Sequence, residues 1–484
     1  MSLSAHAMER MTGRRGMRVT RRRIMVFSHL CNADHMTGAE KYALFLAQEL
    51  TAHHQVILVV PSEGMLARQA RSTSAAAVLV HPYPLMWQMW EPGPGLAEEE
   101  HRIYHSEQTL LMMNMLHSYR PDAVIVITCV NTIPAIAASR LGIPVLWMIT
   151  EVMRSTPFTP HAVSIIDRYS AWIGGISQAT LNHFHRHAVA KTLMLSPSWR
   201  RDLLHPETWD GHRRKTRAAY GVGGKDVVGG YIVSDIVPHK GFDHFVEMAI
   251  RLCGRHPDFR CMIVGQATDR AYYDSTMQYM HRFGYSSRFV LVPYTRSIEN
   301  LYPAMDFVVV PSLVDEGFGM TAMEGMIFGK PVIAYRSGGL EEILQSTGMA
   351  SLLVPPGDID RLTEAASELV GNPVRRAALG REAQRAVEEA YGISAYRSRL
   401  SLIMQAIEQT VLTVERHHRI MRPNIPDGSV IKGAHTPAVY LIQDGRKRPF
   451  ASEAALHASG YGWREVIIVE ERTLHSIPTG SPIL

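Results

Sequence analysis

The sequence predicts an α/β protein built as two doubly wound, Rossmann-like domains facing a cleft, followed by a small β-rich C-terminal module. Three observations predict it. Short runs of β-branched and other apolar residues alternate with segments of helical periodicity, the pattern of parallel sheets covered on both faces. That alternation runs through once, pauses at residues 196–224 in a stretch rich in Arg, His, Pro and Gly, and then restarts. Past Pro423 and Pro426 the helical pattern breaks and turn signals crowd together.

Each element follows from its residues. Residues 1–22 read as a basic, disordered leader, because an arginine-rich stretch leads into only a short strand at 24–28, too little apolar length for a secretory signal. Strands are expected at 24–28, 56–60, 77–80, 124–127, 145–149 and 172–176, giving a first domain over 23–196. Between the first two, Ala39, Tyr42, Ala43, Leu46, Ala47 and Leu50 recur at helical spacing behind a Thr37-Gly38 start. A connecting segment is expected over 197–224. The second domain, 225–395, carries strands at 227–233, 261–264, 289–292, 307–310, 332–334 and 352–354. A closing helix over 396–422 leads to the module at 423–484, where two short strands around Asp444-Gly445 read as a hairpin. In open sheets of this type ligands bind beyond the carboxyl ends of the strands, so the cleft between the domains is the expected site.

Composition narrows the function. With 484 residues, 46% hydrophobic content and a formal charge of +5, the chain is an ordinary globular protein, mildly basic and without the dense stripe of a nucleic-acid binder. Its charge is compatible with anionic ligands or peripheral contact with a lipid surface. Four separated cysteines read as reduced core thiols of a cytoplasmic protein. The longest apolar stretch, 123–138, is broken by Asn131, Thr132 and Pro134, so no membrane span is expected.

The densest signal is Glu316-Gly-Phe-Gly-Met-Thr-Ala-Met-Glu324, set between the strand at 307–310 and a Gly-Lys-Pro stop at 329–331. Strand, loop and helix in that order place Glu316 where the helix begins and Glu324 about two turns on, with amides near Gly317, Phe318, Gly319, Met320 and Thr321 facing outward. Carboxylates can hydrogen-bond sugar hydroxyls, and a helix N-terminus, carrying roughly half a positive charge, favours phosphate. Two glutamates at a helix start can also simply offset its dipole.

The flanking residues resemble the retaining GT-B glycosyltransferases of family 4. The resemblance rests on Val310-Pro-Ser312, Glu316-Gly-Phe-Gly319, Glu324, Gly329-Lys-Pro-Val-Ile-Ala334 and Gly338-Gly-Leu-Glu-Glu342, with further signatures at Thr37-Gly-Ala-Glu-Lys-Tyr42 and Val237-Pro-His-Lys-Gly241. It extends loosely over residues 23–399. It implies the GT-B fold and transfer of a sugar, with retention, from a nucleotide-diphosphate-sugar donor to a hydroxyl of a glycan or lipid-linked acceptor, as in cell-surface polysaccharide synthesis at the inner face of the plasma membrane. On that resemblance Glu316 and Lys240 are the catalytic candidates, Glu324 holds the ribose, and Gly38 and Gly319 bring backbone amides to the diphosphate. Tyr294 is a candidate for the nucleotide base or for core packing.

Two positions depart from the family pattern. Many relatives carry an arginine five residues before the lysine, where this chain has Asp235, so Arg270 and Arg296 are candidate substitutes. Relatives often place a histidine where Thr150 and Glu151 follow the strand at 145–149; these two become acceptor-side candidates, with Asp34 and His35 nearby. Trp87 and Trp90, in a loop rich in Met and Pro, are expected to border the acceptor or to pack beneath the loop. Asp358-Ile-Asp360 reads as a helix N-cap rather than a metal-binding pair, and neither His183, His185 and His187 nor His417 and His418 form a ligand set. No cofactor, no essential metal and no nucleic-acid partner are expected. The C-terminal module looks like a small repeat unit attached to assorted bacterial proteins, and reads as an accessory binding or packing element. A GT-B sugar-nucleotide epimerase and a non-catalytic glycan- or lipid-binding subunit with a degenerate site remain the alternatives, since a fold does not fix a function.

Overall fold

The computed structural model describes residues 21–73, 76–184, 191–292, 297–420 and 425–484. The chain divides into two compact units, residues 1–407 and 408–484.

The first unit contains two parallel sheets. Strands β1 (Arg23–Phe27), β2 (Gln55–Val60), β3 (Ala77–Val80), β4 (Ala123–Ile127), β5 (Val145–Ile149), β6 (Trp172–Gly175) and β7 (Thr192–Met194) form a sheet of order β3-β2-β1-β4-β5-β6-β7. β1, β4 and β5 are almost wholly buried apolar runs, as a sheet covered on both faces requires. β7 was not expected; Thr-Leu-Met is too short and too half-buried to stand out as a strand. Arg22 and Arg23, at the boundary between the expected leader and the first domain, both engage Asp122, and the expected leader up to residue 20 lies outside the described residues.

The second lobe contains β8 (Val227–Asp235), β9 (Phe259–Gln266), β10 (Phe289–Val292), β11 (Phe307–Val310), β12 (Val332–Tyr335) and β13 (Leu353–Val354), in the order β10-β9-β8-β11-β12-β13. In each sheet the connections reverse direction at one place, between β1 and β4 and between β8 and β11. Those two crevices are where a doubly wound fold accepts ligands.

The segment expected as a connector is more structured than its composition suggests. Residues 209–219 form the helix Trp209–Ala219, held to the second lobe by arginines rather than by an apolar stripe. Arg213 and Arg217 clasp the carboxylate of Asp306 at 2.7 and 3.2 Å, and the Trp209 ring lies 4.4 Å from that of Phe328. Burial raises the Asp306 pKa, but Arg213 and the Val228 amide more than offset it, and the net shift is downward. The helix Ile393–Ile420 begins three residues before its expected start. Its first part returns to the first lobe, where Tyr396 packs edge-on against Phe45 and Arg397 meets the buried Glu49 at 2.6 Å, beside Arg200.

The second unit is a four-stranded sheet of order β16-β15-β14-β17, formed by β14 (Val430–Gly433), β15 (Val439–Gln443), β16 (Arg446–Pro449) and β17 (Val466–Val469), with two short helices. The expected hairpin is present: Asp444 and Gly445 both take positive φ, 52° and 67°, joining β15 to antiparallel β16. The Asp427 carboxylate accepts both turn amides. One pair, β14 with β17, is parallel.

Candidate functional site

The site is assembled from the loops that leave the carboxyl ends of the strands. After β1 the chain enters the helix Gly38–Thr51, whose start is fixed by a capping box: Thr37 Oγ1 accepts from the Glu40 amide, and Glu40 accepts from the Thr37 amide. Glu40 is fully buried and also receives both nitrogens of Asn32 that face it, so it holds the loop in front of Gly38. After β8, a turn at Pro238–Lys240 ends in Gly241, whose positive φ and 2.1 Å approach of a would-be Cβ to the Pro311 carbonyl leave room only for glycine. That turn aims Lys240 into the crevice between β8 and β11.

The glutamate pair differs from its sequence reading in one respect. The helix begins only at Met320, behind Gly319 with φ 97°, and Glu316 lies before it in an extended loop bridged to Gly338. The loop is pinned by close approaches, since Cβ atoms on Gly338 or Gly339 would strike the backbone of Glu316 and Phe318. Glu324 therefore sits little more than one turn into the helix, not two. The amides that open this helix have no intrahelical acceptor and lie at the cavity wall with Gly319, Met320 and Thr321.

Lys240 and Glu316 meet at 2.6 Å. Glu324 accepts a hydrogen bond from Tyr302 at 2.7 Å and stands 4.0 Å from Lys41, which comes from the opposite lobe. Burial, and then the Glu324 carboxylate, push the Tyr302 hydroxyl well above its ordinary pKa, so it is a fixed donor. Burial and the adjacent Lys240 lower the pKa of His239, keeping that ring neutral near pH 7.

Two adjoining cavities open here, of about 1150 and 520 Å³, sharing Gly38, Thr150, Lys240, Glu316 and Gly317. The smaller reaches Glu324, Phe318 and the helix start; the larger runs toward Glu151, Arg154, His183 and Trp90. Cavities on this scale hold small-molecule ligands. The lobes touch across them. The backbone of Gly317 lies against the Thr150 carbonyl, its own carbonyl accepts from Ser177 at 2.5 Å, and the Gln178 amide donates to Glu342 at 2.7 Å.

Most expected site residues converge on this cleft, and a few do not. Thr150 and Glu151 line it, with the Thr150 hydroxyl donating to Glu151 at 2.6 Å. Trp90 lines the larger cavity beneath the Arg154 guanidinium, 4.7 Å away. Trp87 lines neither cavity, a correction: it opens the short turn Trp87–Met89 and is 57% exposed. Asp235 ends β8 without lining either cavity, and Ser234 faces the smaller one in its place. Arg270 also stays outside, over the Tyr273 ring. Asp34 and His35 line neither cavity. Tyr294, Arg296, His185 and His187 lie outside the described residues, and the side chains of His417 and His418 are not described. Asp358 caps the helix Ile359–Gly371 by accepting from the Arg361 amide at 2.9 Å. Among the described residues no group of His, Cys, Asp or Glu is arranged to hold a metal ion, and no helix is long and apolar enough to cross a membrane. Sequence reasoning missed Tyr302, Lys41 and Ser177. Only the helical phase of Lys41, one residue before the inward-facing Tyr42, offered any signal.

Comparison with known proteins bears on the family and the fold. Residues 217–386 match the family described as glycosyl transferases group 1. A GDP-mannose-dependent monoacylated alpha-(1-6)-phosphatidylinositol monomannoside mannosyltransferase of Corynebacterium glutamicum is 30% identical over 180 residues, 36% of this chain and 46% of that protein. The D-inositol 3-phosphate glycosyltransferase of Rhodococcus opacus is 33% identical over 184 residues, 37% and 41% of the two chains. The matched stretch thus spans less than half the length of these curated relatives. Among solved structures, Anabaena HepE in complex with UDP and glucose superposes with a TM-score of 0.65 at 17% identity, over 79% of this chain and 99% of that one. A glycosyltransferase from Rickettsia africae does so with a TM-score of 0.66 at 15% identity, over 80% and 98%. The fold of the two lobes is GT-B.

Proposed function

We infer from the glycosyl transferases group 1 segment at residues 217–386 that this chain is a retaining glycosyltransferase, moving a sugar from a nucleotide-diphosphate donor to a hydroxyl of a glycan or lipid-linked acceptor. The observation that carries the reading is the convergence of Lys240, Glu316, Glu324 and the helix starts at Gly38 and Met320 on one cleft between the lobes. In this reading Glu316 holds hydroxyls of the transferred sugar and steadies positive charge developing at its anomeric carbon. Lys240 and the amides near Gly38 and Gly319 receive the departing diphosphate, where preorganised contacts are typically worth about 3–4 kcal/mol of barrier. Glu324, oriented by Tyr302, accepts the ribose hydroxyls. The acceptor enters through the larger cavity, past Trp90, Thr150 and Glu151. In a retaining reaction of this family the departing phosphate takes the acceptor's proton on the face it leaves. The phosphatidylinositol monomannoside mannosyltransferase among the relatives supports a lipid-linked or glycolipid acceptor.

The test is a panel of nucleotide-diphosphate sugars, assayed first for binding and then for turnover with glycan and polyprenyl-linked acceptors, with proton NMR of the product linkage. One donor is expected to turn over, to give a product of the donor's own anomeric configuration, and to lose at least a hundredfold in kcat when Glu316→Gln is introduced. An inverted product would reject the retaining mechanism, a donor rearranged without acceptor would point to an epimerase, and a chain that binds no nucleotide would be a non-catalytic subunit.

A further inference from the structure

Resting on that donor reading, we propose that Lys41 is a second diphosphate-binding residue, supplied across the cleft by the first lobe, and that it fills the role left open by Asp235. Among the described residues the smaller cavity is lined by two cations, Lys41 and Lys240, and by two anions, Glu316 and Glu324. They are paired crosswise: Lys240 with Glu316 at 2.6 Å, Lys41 with Glu324 at 4.0 Å. The cavity is therefore electrically balanced while it holds only its own side chains.

A sugar nucleotide brings hydroxyls for both carboxylates and a negative charge on each phosphate for both ammonium groups. Sugar hydroxyls take over Glu316, ribose hydroxyls take over Glu324, and the two lysines released turn onto the diphosphate. The bound cavity carries the two negative charges of the ligand in excess, but each phosphate faces an ammonium group and each carboxylate keeps hydroxyl donors, so no ion is left without a partner. The position of Lys41 argues that it is there for such a ligand. It lies in the first turn and a half of the helix Gly38–Thr51, where a cation works against the helix dipole. Its side chain is 41% exposed and its partner lies on the other lobe, so neither local helix stability nor burial explains it. Phosphates docked on the Gly38 amide would come within one helical turn of it.

The experiment is calorimetric titration of the full chain with UDP, GDP and ADP and with the matching nucleosides, for the wild type, Lys41→Met and Lys41→Arg, at low and high salt. For the diphosphate that wild type binds, Lys41→Met is expected to weaken affinity roughly tenfold or more while nucleoside affinity stays within about twofold, and Lys41→Arg is expected to restore most of the loss. The salt dependence of diphosphate binding should flatten in Lys41→Met alone. Unchanged diphosphate affinity in Lys41→Met, or an equal loss for nucleoside and diphosphate, would overturn the proposal while leaving the donor reading intact. Failure of wild type to bind any of the diphosphates would overturn both.

Discussion

A single methyl group placed at Gly317 tests whether the closed contact between the lobes is the working arrangement. An added Cβ would lie 2.2 Å from the Thr150 carbonyl oxygen and 3.1 Å from its carbon, whereas Cβ contacts under 3.0 Å are essentially never seen. Backbone has to move, because the atom struck is a strand-end carbonyl rather than a pliable side chain. The loop and β5 must part by most of an ångström, and the 2.5 Å hydrogen bond from Ser177 to the Gly317 carbonyl stretches with them. Overpacking of this kind costs about 1–3 kcal/mol, and the loosened hydrogen bond about 1 more. Gly317 does not take a positive φ, so alanine imposes no backbone strain of its own. The clash falls on the contact between the lobes rather than within either sheet. Gly317→Ala is therefore expected to leave the melting temperature within a few degrees of wild type while lowering kcat/KM by about 10- to 1000-fold, since each 1.4 kcal/mol is a factor of ten. Steady-state turnover with the cognate donor measures the loss, and small-angle scattering measures the separation of the lobes. Gly211→Ala, in the helix Trp209–Ala219 with open space around its added Cβ, is the control and should be neutral or slightly stabilising. A Gly317→Ala protein with wild-type turnover and wild-type scattering would refute the reasoning.

Other expectations follow from single groups. Tyr302→Phe keeps the ring stacked on Phe328 but removes the donor to Glu324, and should raise the donor KM about tenfold with a smaller change in kcat, measured by initial rates across donor concentration. Lys330, half-buried near Arg213 and Arg217, has its pKa pulled down to about 8 first by desolvation and then by Arg213. A folded-state pKa below the unfolded value means that the charged form is penalised by folding; the penalty is complete below pH 8 and fades as pH rises toward the unfolded value. Lys330→Met should accordingly stabilise the protein at pH 7 by about 1–3 kcal/mol, with the advantage shrinking by pH 9.5, as read from urea unfolding at the two pH values. No change in the difference between those pH values would show that Lys330 titrates normally.

The fold was legible because its signals are local. Buried parallel strands such as β4, β5 and β11 are unbroken apolar runs, and the Thr37 cap, the Asp358 cap and the Asp444-Gly445 turn each act through residues two or three apart. What was hidden depends on distant partners. The helix Trp209–Ala219 looks like a polar connector until Asp306 is brought beside its two arginines. Eight residues separate Glu316 from Glu324, and spacing alone suggested one helix through both. The close packing of Gly338 and Gly339 on the loop delays the helix to Met320 instead. Trp87 and Trp90 are equivalent in the sequence, and the partner that marks Trp90 as the cavity residue, Arg154, lies 64 positions away. Lys41, from the helix after β1, and Tyr302, from the short turn before β11, meet Glu324 across long stretches of chain, and no spacing rule could have paired them.

The most direct test of the central claim is a crystal structure with the nucleoside diphosphate of the cognate donor. The account predicts phosphates between Lys240 and the helix starts at Gly38 and Met320, ribose hydroxyls on Glu324, and Lys240 drawn away from its 2.6 Å contact with Glu316. A nucleotide bound elsewhere, or one bound in the cleft with the Lys240–Glu316 pair intact and no phosphate touching Lys240, would contradict it.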